Sequence, residues 1–547
     1  MVISRRREVP AMVTSSPLIE MVQMTQKIRE SMLDITVRVC RNVVTRVCSW
    51  NFSKKWGATV IVSAFNFISP VSSTMIAPAS GQLAEQFGID STVLLAMTTS
   101  VFVLGYGGNF VVFTAGSLRS SEVFTVIIAF GPIFIGPLSE IYGRLHVLQI
   151  SNLFFLVWNI ACGFAQNKNM LIAFRFLAGL GGSAPLSVGG GVIGDLFDAE
   201  HRGQAIAIYS LAPLLGPAVG PVVGAWIAEK STWRWVFWST SIVDVAIQGF
   251  GVLFLKETYA PVLLERKAAT VRKSMDEEKA SAVVIRTDPT DRHWKAIFSK
   301  ALVRPFKLFI YEPIVQLLGL YMAFIYGLLY VFLTTITSTF QDEYHQRVGI
   351  AGLHYLALGI GLVIPSQINA RLMDRIYTLL KGRNGGVGKP EFRLLNIVPG
   401  TILLPIGLLI TGWTTQRHVF WLWPDVGIAI VGAGTIVTYQ SIQAYLIDSF
   451  TLHAASGAAS ASLSSAFIWL HTFLVITALA AATFLRSLAG FGFPLFAPTM
   501  YSALGYGKGD TILAAAAIAL GCPAPWLFWF YGERIRNASR FARKGND

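Results

Sequence analysis

The chain contains a long series of apolar segments, each close to the length needed to cross a lipid bilayer. Of its 547 residues, 53% are hydrophobic and 14% charged, and the mean hydropathy is +0.56. A helix needs about 20 apolar residues to span the hydrocarbon core, where only helices and closed barrels satisfy their own backbone. The pattern predicts an all-α polytopic membrane protein. The predicted spans lie near residues 58–78, 95–106 with 129–138, 147–165, 170–194, 205–227, 236–255, 312–334, 350–369, 396–413, 420–447, one or more between 456 and 504, and 511–531.

The distribution of charge predicts the orientation of these spans. The net charge is +14 and the isoelectric point about 9.6. The basic residues are spread over loops rather than one folded face, which argues against a nucleic-acid partner. They cluster in residues 1–56, 256–307, 371–393 and 534–544. The positive-inside rule then places both tails and the centre of the chain in the cytosol.

These features divide the chain into five parts. A basic cytosolic amino tail and a basic cytosolic carboxy tail enclose two six-span halves, which a cytosolic linker joins. The parts are 1–56 (amino tail), 57–255 (amino-terminal half), 256–307 (linker), 308–531 (carboxy-terminal half) and 532–547 (carboxy tail). The four cysteines, Cys40, Cys48, Cys162 and Cys522, have neither disulfide nor zinc spacing, so we expect no metal site.

One predicted span, near 205–227, has a glycine at every fourth position and a proline after two of them. Glycines at this spacing form one bare stripe along a helix, and the prolines remove backbone donors and bend it. A generic packing seam between membrane helices is the alternative interpretation. The motif residues are Gly216, Pro217, Gly220, Pro221 and Gly224.

This stretch, LAPLLGPAVGPVVG, resembles the antiporter motif in the fifth span of major facilitator superfamily exporters. Ala225 stands where that motif usually ends in a second glycine. The resemblance implies export rather than uptake. It also implies the major facilitator fold, in which two six-helix halves enclose a central cavity near the midplane of the membrane.

A second motif, GPLSEIYGR, resembles the superfamily's loop between spans 2 and 3. Gly136 and Gly143 permit a tight cytosolic turn. The charges of Glu140 and Arg144 are expected to form a latch between helices that opens and reforms as the two halves rock. Glu140 occupies the position of the family's usual aspartate, and an ordinary loop with an ion pair is the alternative.

Two ionisable residues lie inside predicted spans and are the proton-coupling candidates. LIAFRFLAGLGGSA resembles the fourth-span motif of the family, whose arginine, implicated in proton coupling, corresponds to Arg175. Asp244 is the clearest carboxylate inside a span. Charges within a bilayer are costly and usually serve a function, and a buried carboxylate is suited to loading and releasing protons. The alternatives are an Arg175 that snorkels to an interface and an Asp244 that forms a structural hydrogen bond.

Further polar and aromatic residues in the predicted spans are candidates for lining a substrate cavity. At helical spacing, an aromatic residue is more often part of the packing than of a ligand site. The candidates are Asn66, Gln316, Tyr326, Gln440 and Arg486.

Four other stretches narrow the resemblance to the fungal twelve-span drug:proton antiporters. They are WRWVFW at 233–238, ETYAPVLL at 257–264, NGGVGKPEFR at 384–393 and RSLAGFGFPLF at 486–496. The resemblance covers nearly everything from Asn51 to Arg536 and implies a monomeric multi-pass protein of the plasma membrane. The implied activity is the export of a small organic compound, such as a drug, toxin or secondary metabolite, in exchange for protons.

The proton gradient would drive this exchange without a cofactor, and the chain has no GxxxxGK[ST] loop for ATP. A polyamine or nutrient transporter of the same fold is one alternative, although a cation site would need more cavity carboxylates than Asp244. A solute sensor that does not transport is another. An enzyme is not expected, because no nucleophile elbow or paired histidine and carboxylate motif is present.

Two segments, 107–128 and roughly 457–480, exceed the family pattern. If the first segment added one crossing, Glu140 and Arg144 would lie outside the cell. The basic linker would then also face outward, against the positive-inside rule. We interpret both segments as translated introns. If they are genuine protein, re-entrant or peripheral placement is favoured over a new crossing.

This interpretation predicts that complementary DNA from the native gene lacks the codons for residues 107–128 and for those near 457–480. Sequencing the mature transcript tests it directly. A transcript that retains both segments would show that they belong to the protein.

Overall fold

A computed structural model of the chain describes residues 50–107, 132–197, 199–259, 262, 263, 266, 312–458 and 465–537. The predicted amino tail up to residue 49, most of the linker and the carboxy tail from 538 lie outside this part. So does most of the first predicted insert. The described elements are helices joined by turns and short irregular stretches.

The described part of the amino-terminal half contains nine α-helices, and the most extensive contacts among them join α1 to α8 and α3 to α6. Proline and glycine mark some of the helix boundaries. Helices α6 and α7 meet at Ser183 and Pro185, and Gly88 ends α2 in the left-handed conformation. The helices are α1 (Phe52–Thr74), α2 (Ser80–Phe87), α3 (Thr92–Gly107), α4 (Pro132–Tyr142), α5 (Arg144–Gly163), α6 (Lys168–Gly182), α7 (Ala184–Leu196), α8 (Ala199–Lys230) and α9 (Arg234–Phe254).

The carboxy-terminal half surrounds one continuous apolar core, which includes Tyr321, Leu328, Tyr355, Leu404 and Val431. Its helices are α10 (Pro313–Asp342), α11 (Val348–Leu353), α12 (Tyr355–Arg383), α13 (Ile397–Gln416), α14 (Leu422–Ala458), α15 (Ser465–Gly521) and α16 (Pro523–Asn537), with a 3₁₀ turn at Pro390–Asn396.

Ten apolar helical segments of the described residues are long enough to cross a membrane. One of them, Ala482–Gly532, breaks at Gly505, where φ is 78° and ψ 166°, so it provides a crossing on each side of this turn. The shorter apolar helix α3 adds another. The described residues therefore supply twelve apolar helical segments, as the twelve-span arrangement requires.

The helices on either side of the first predicted insert belong to one crossing. Helix α3 packs against α6, whereas α4 packs against α7. Since α6 and α7 follow one another in the single span Lys168–Leu196, α3 and α4 lie beside its two consecutive halves.

The start of α1 also lies at the same end of the molecule as the loop after α4. The Trp56 ring packs edge-on against Phe197 at 5.5 Å, and both belong to a cluster around Leu255 that Leu145 joins. An even number of crossings therefore separates Trp56 from Leu145, which agrees with the predicted cytosolic position of the motif loop. The second predicted insert falls on residues 459–464, outside the described residues, and on helix whose side chains are not described.

The two halves meet along a seam of small residues between α8 and the pair α11 and α12. Ala225 of α8 faces Gly352 so closely that a Cβ added to Gly352 would collide with the Ala225 Cβ. About two helical turns further along, a Cβ added to Gly359 would lie 2.8 Å from the Cβ of Ala218. At the end of the seam the backbone N–H of Gly349 donates to Glu229 Oε2 at 2.6 Å. This seam joins the ends of the halves opposite Trp56 and Leu145, which the positive-inside rule predicts to face outward and which we call the outer ends.

We expect Gly352→Leu to hold the outer ends of α8 and α11 apart, because the seam has no room for a side chain. Double electron–electron resonance between spin labels at positions 230 and 347 should then report a longer distance, and transport should fall. Gly190→Leu in α7 is the control, since no atom lies within 4 Å of a Cβ added there. An unchanged distance in the Gly352 variant would show that the seam does not set the closure.

Candidate functional site

A cavity of about 310 Å³ lies between the two halves. Cavities that bind small organic molecules usually range from about 300 to 1,000 Å³. Helices α1, α3, α7 and α8 line it from one half, and α10, α12, α14 and α15 from the other. The polar and aromatic members of the lining are Ser73, Tyr106, Tyr209, Ser210, Tyr326, Tyr330, Thr435, Tyr439, Gln440, Gln443 and Arg486.

A larger groove, of about 1,790 Å³, runs along the flank of the amino-terminal half. Apolar side chains such as Val60, Ile61 and Phe250 form much of its wall, between the start of α1 and the end of α9. None of the predicted site residues lines it. The cavity between the halves is therefore the candidate site.

Arg486 is the only side chain with a formal charge in the cavity lining that the structure describes. It is 6% exposed, and its Nη1 donates to the Tyr439 hydroxyl at 2.6 Å. The guanidinium carbon lies 4.5 Å from the Tyr326 ring centre and 5.6 Å from that of Tyr439. Its Nε has no hydrogen-bond partner among the described residues. The cation is thus held by aromatic faces and one hydroxyl.

The structure brings three of the five predicted cavity residues, Tyr326, Gln440 and Arg486, into the lining. Gln440 donates to Ser366 Oγ at 2.6 Å and accepts from Asn369, so its amide is already engaged. The other two lie elsewhere. Asn66 is buried in α1 with its amide 3.5 Å from the Tyr209 carbonyl, and Gln316 lies in the first turn of α10.

Sequence reasoning missed the tyrosines that the amino-terminal half contributes, Tyr106 and Tyr209, and also Tyr439 beside Arg486. Each lies inside an apolar span, where an aromatic residue is normally packing. A weak signal existed in α10, where Tyr326 and Tyr330 are four residues apart and share one helix face, their ring centres 5.1 Å apart.

Arg175 lies fully buried beside the cavity, in a cage of backbone carbonyls. Its Nη1 and Nη2 donate to the carbonyls of Ser72 and Ser73, both at 2.8 Å. Its Nε and Nη2 donate at 3.2 Å to the carbonyls of Thr98 and Thr99. The guanidinium therefore ties α6 to α1 and α3 without a carboxylate, and it is fully buried rather than snorkelling to an interface.

Asp244 is buried between α9 and α5, outside the cavity lining. Its Oδ1 accepts from the Asn152 amide at 3.0 Å, and the same amide donates to Gln248 at 3.0 Å. The second carboxylate oxygen, Oδ2, has no partner among the described residues. A carboxyl group with one unpaired buried oxygen is suited to holding a proton there, because a neutral group is cheaper to bury than a charged one.

A polar seam connects the surroundings of these two predicted proton-coupling residues. The Ser72 hydroxyl donates to Asn159 Oδ1 at 2.8 Å, and the Asn159 amide donates to Thr240 Oγ1 and Ser241 Oγ, both at 2.9 Å. Ser72 also supplies a carbonyl to the Arg175 cage, and Ser241 lies one turn before Asp244. Asparagine side chains in the apolar α5 were the sequence signal for this seam.

In the loop after α4, the described ion-pair partner of Arg144 is Asp195. Arg144 forms an ion pair with Asp195 at 3.5 Å, and its Nη1 donates to Ser139 Oγ at 2.8 Å. The Glu140 side chain lies outside the described residues. The partner that the structure gives to Arg144 is thus at the end of α7, and the contact lies within the amino-terminal half.

Glu257, just after α9, caps the N-terminus of α5. Its carboxylate accepts the backbone N–H of Arg144 at 2.9 Å and that of Leu145 at 3.3 Å, where the positive end of the helix favours an anion. Gly143 has a φ of 100°, and a Cβ there would collide with this carboxylate. Gly136, the other predicted loop glycine, lies inside α4 in open space.

The glycines of the antiporter motif pack against α1. Added Cβ atoms on Gly216 and Gly220 would lie 2.7 Å from Pro70 Cβ and from the Val71 carbonyl oxygen, and one on Gly224 would collide with Met75. The kinking prolines of the motif, Pro217 and Pro221, lie within α8. The glycine stripe thus fixes α8 inside its own half, and the opposite face of α8 forms the seam to the other half.

Twelve apolar helical segments in two halves, with a cavity between them, define a membrane transporter. Residues 62–471 match the family described as Major Facilitator Superfamily. The chain is 42% identical over 495 residues to "Efflux pump vrtL" of Penicillium aethiopicum, covering 90% of this chain and 88% of that protein. It is 38% identical over 501 residues to "Efflux pump radE" of Floropilus chiversii, covering 91% and 84%. The chain belongs to the major facilitator superfamily, and its sequence relatives are fungal efflux pumps and transporters, as its motifs predicted.

Solved structures agree on the fold. The xylose transporter XylE from E. coli, in a partially occluded inward open conformation, superposes with a TM-score of 0.58 at 14% identity, covering 88% of this chain and 98% of that one. A bacterial homologue of human Spinster gives 0.56 at 13% identity, covering 90% and 99%. These likenesses confirm the all-α major facilitator fold. Membership of the superfamily makes the protein a transporter rather than an enzyme.

The geometry around Gly143 predicts that Gly143→Ala destabilises the protein by about 1–3 kcal/mol, the usual cost of strained backbone at a non-glycine residue. The added Cβ also displaces the Glu257 cap. The thermal unfolding midpoint of the purified protein in detergent measures the effect. Gly136→Ala, in the helical and open α4 position, should leave the midpoint unchanged or slightly raised, and equal midpoints for the two variants would contradict the prediction.

Proposed function

We propose that the protein is a proton-coupled antiporter of the plasma membrane that exports a small organic compound, a drug, toxin or secondary metabolite. The observation that carries this proposal is the aromatic cavity between two halves whose outer ends touch. Such a cavity accepts a compound from the cytosolic side and releases it outside when the halves rock. The names of the relatives, efflux pumps, support the same direction.

The proposed coupling uses the proton gradient and no cofactor, and the protein acts as a monomer. A potential of 100 mV contributes about 2.3 kcal/mol per charge, and one pH unit adds about 1.4. One proton therefore sustains roughly a few-hundred-fold gradient of a neutral compound, since each 1.4 kcal/mol is tenfold. Asp244 is the proposed proton carrier, and Arg175 holds the helices that surround the polar seam.

A polyamine transporter is the weaker candidate, because the described cavity lining holds no carboxylate to bind a polycation. A sensor that binds a solute without moving it is the other alternative. A flux measurement distinguishes it from an exporter. Neither alternative accounts for the loop and antiporter motifs as simply as export does.

The test is energised efflux from a pump-deficient yeast that expresses either the full 547-residue chain or a version without the two predicted inserts. A panel of dyes, antifungals and polyamines is followed with and without a protonophore. We expect protonophore-sensitive efflux of a non-polyamine compound. Binding without efflux would favour the sensor, and efflux that a protonophore leaves intact would overturn the coupling.

Arg175→Lys should lower the efflux rate at least about tenfold, because an ammonium has three donors and lacks the planar fork that reaches four carbonyls. Arg234→Lys is the matched control, since this arginine lies at the start of α9 and reaches the Gln86 side chain and the Ala165 carbonyl instead. Protein amount at the membrane is measured for both. Full efflux in the Arg175 variant would show that the carbonyl cage is dispensable.

A further inference from the structure

The central cavity carries one positive charge and no compensating carboxylate among its described residues. A buried guanidinium normally pairs with an acid, because the cost of removing it from water is several kcal/mol. In the described structure, Arg175 meets this cost with four carbonyls, whereas Arg486 has a single hydrogen bond, to the Tyr439 hydroxyl. Arg486 therefore has donors that no described group of the protein uses.

The donor set around Arg486 is suited to an anion. Its Nε is buried and without a described partner, and the cavity it borders is large enough for a small organic molecule. Tyr439 accepts the hydrogen bond from Arg486, so its own hydroxyl proton is left for a ligand. Thr435 Oγ1, also in the lining, has no described partner. A carboxylate or phenolate there would form charge-assisted hydrogen bonds with the guanidinium.

The rest of the wall is suited to a flat apolar body. Tyr106, Tyr326 and Tyr330 face the cavity together with aliphatic residues such as Ile325 and Leu329. Tyrosine rings favour offset or edge contacts with another aromatic ring. A ligand that combines an acid with an aromatic skeleton would satisfy both parts of the site.

Resting on the proposed export function, we propose that the cargo is an aromatic acid, bound as an anion through Arg486 and Tyr439. The membrane potential, negative inside, favours the outward movement of such an anion. The same positive charge repels polyamines and other organic cations. Arg486 thereby selects anions, while the tyrosine rings contact the flat aromatic part of the cargo.

Three matched probes test the charge class: 2-naphthoate, its neutral amide 2-naphthamide, and the cation 2-naphthylmethylammonium. Their binding to the purified full-length protein in detergent is measured by calorimetry. We expect naphthoate to bind about ten- to hundred-fold more tightly than either other probe, the range that charge-assisted hydrogen bonds give. Equal affinities, a preference for the cation, or no binding of naphthoate would overturn the proposal, and this comparison needs no variant.

Arg486→Gln should remove the preference for naphthoate and leave the affinity for naphthamide nearly unchanged. Arg417→Gln is the control, an arginine of the same half that lies over the Trp413 ring, outside the cavity lining. It should keep the full preference. A preference that survives in the Arg486 variant would place the anion site elsewhere.

Efflux from the pump-deficient yeast separates this proposal from the export function. Protonophore-sensitive efflux of the neutral dye Nile red without any preference for naphthoate would leave export standing and overturn the aromatic acid. Binding that prefers naphthoate and depends on Arg486, without efflux of any compound, would support the anion site and overturn the export function.

Discussion

The absence of water in the bilayer core is the constraint on which this structure depends, because every buried polar group must find its partner within the protein. Arg175 shows how completely this is achieved. Four carbonyls from α1 and α3 receive its hydrogen bonds, and the rings of Phe102 and Phe237 lie 5.0 and 5.6 Å from its guanidinium carbon. A side chain that is costly to insert thus becomes a tie between three helices, and removing it would break four buried hydrogen bonds.

Arg486 is the corresponding buried arginine of the other half. Arg175 donates to four carbonyls and acts as a structural tie, whereas Arg486 keeps donors that no described residue uses, as a residue of a binding site does. Its surroundings are tyrosine rings and a hydroxyl, which stabilise a cation without neutralising it. A carboxylate partner would have made Arg486 as inert as a structural ion pair. Because some hydrogen-bond donors of Arg486 stay unpaired within the described structure, the cavity favours an anionic ligand, which its apolar walls alone would not do.

The sequence predicted the spans, the two halves and the family well, because apolar length and the positive-inside rule act on each segment separately. The partners of the polar residues were harder to predict, because they depend on which helices meet. For Arg144 the sequence suggested Glu140, whose side chain lies outside the described residues. Its described partners, the Asp195 carboxylate and the Glu257 carboxylate that accepts its backbone N–H, lie far away in the sequence and could not be predicted from it. Asn66 and Gln316 have the polarity of cavity residues and lie outside the lining, because helix rotation, which apolar composition does not fix, decides what faces inward.

Helix α8 explains how a rigid half and a moving interface coexist. Its glycine stripe is in backbone contact with α1, so bending or sliding there would break close packing over Gly216, Gly220 and Gly224. Its opposite face meets α11 and α12 through Ala218 and Ala225, whose single methyl groups give up little contact when the halves separate. Only the Glu229 hydrogen bond to the Gly349 backbone adds polar attraction in the described part of this seam, and water replaces it once the outer ends open. The contacts of α8 across this seam therefore add little to the energy difference between the closed and open states.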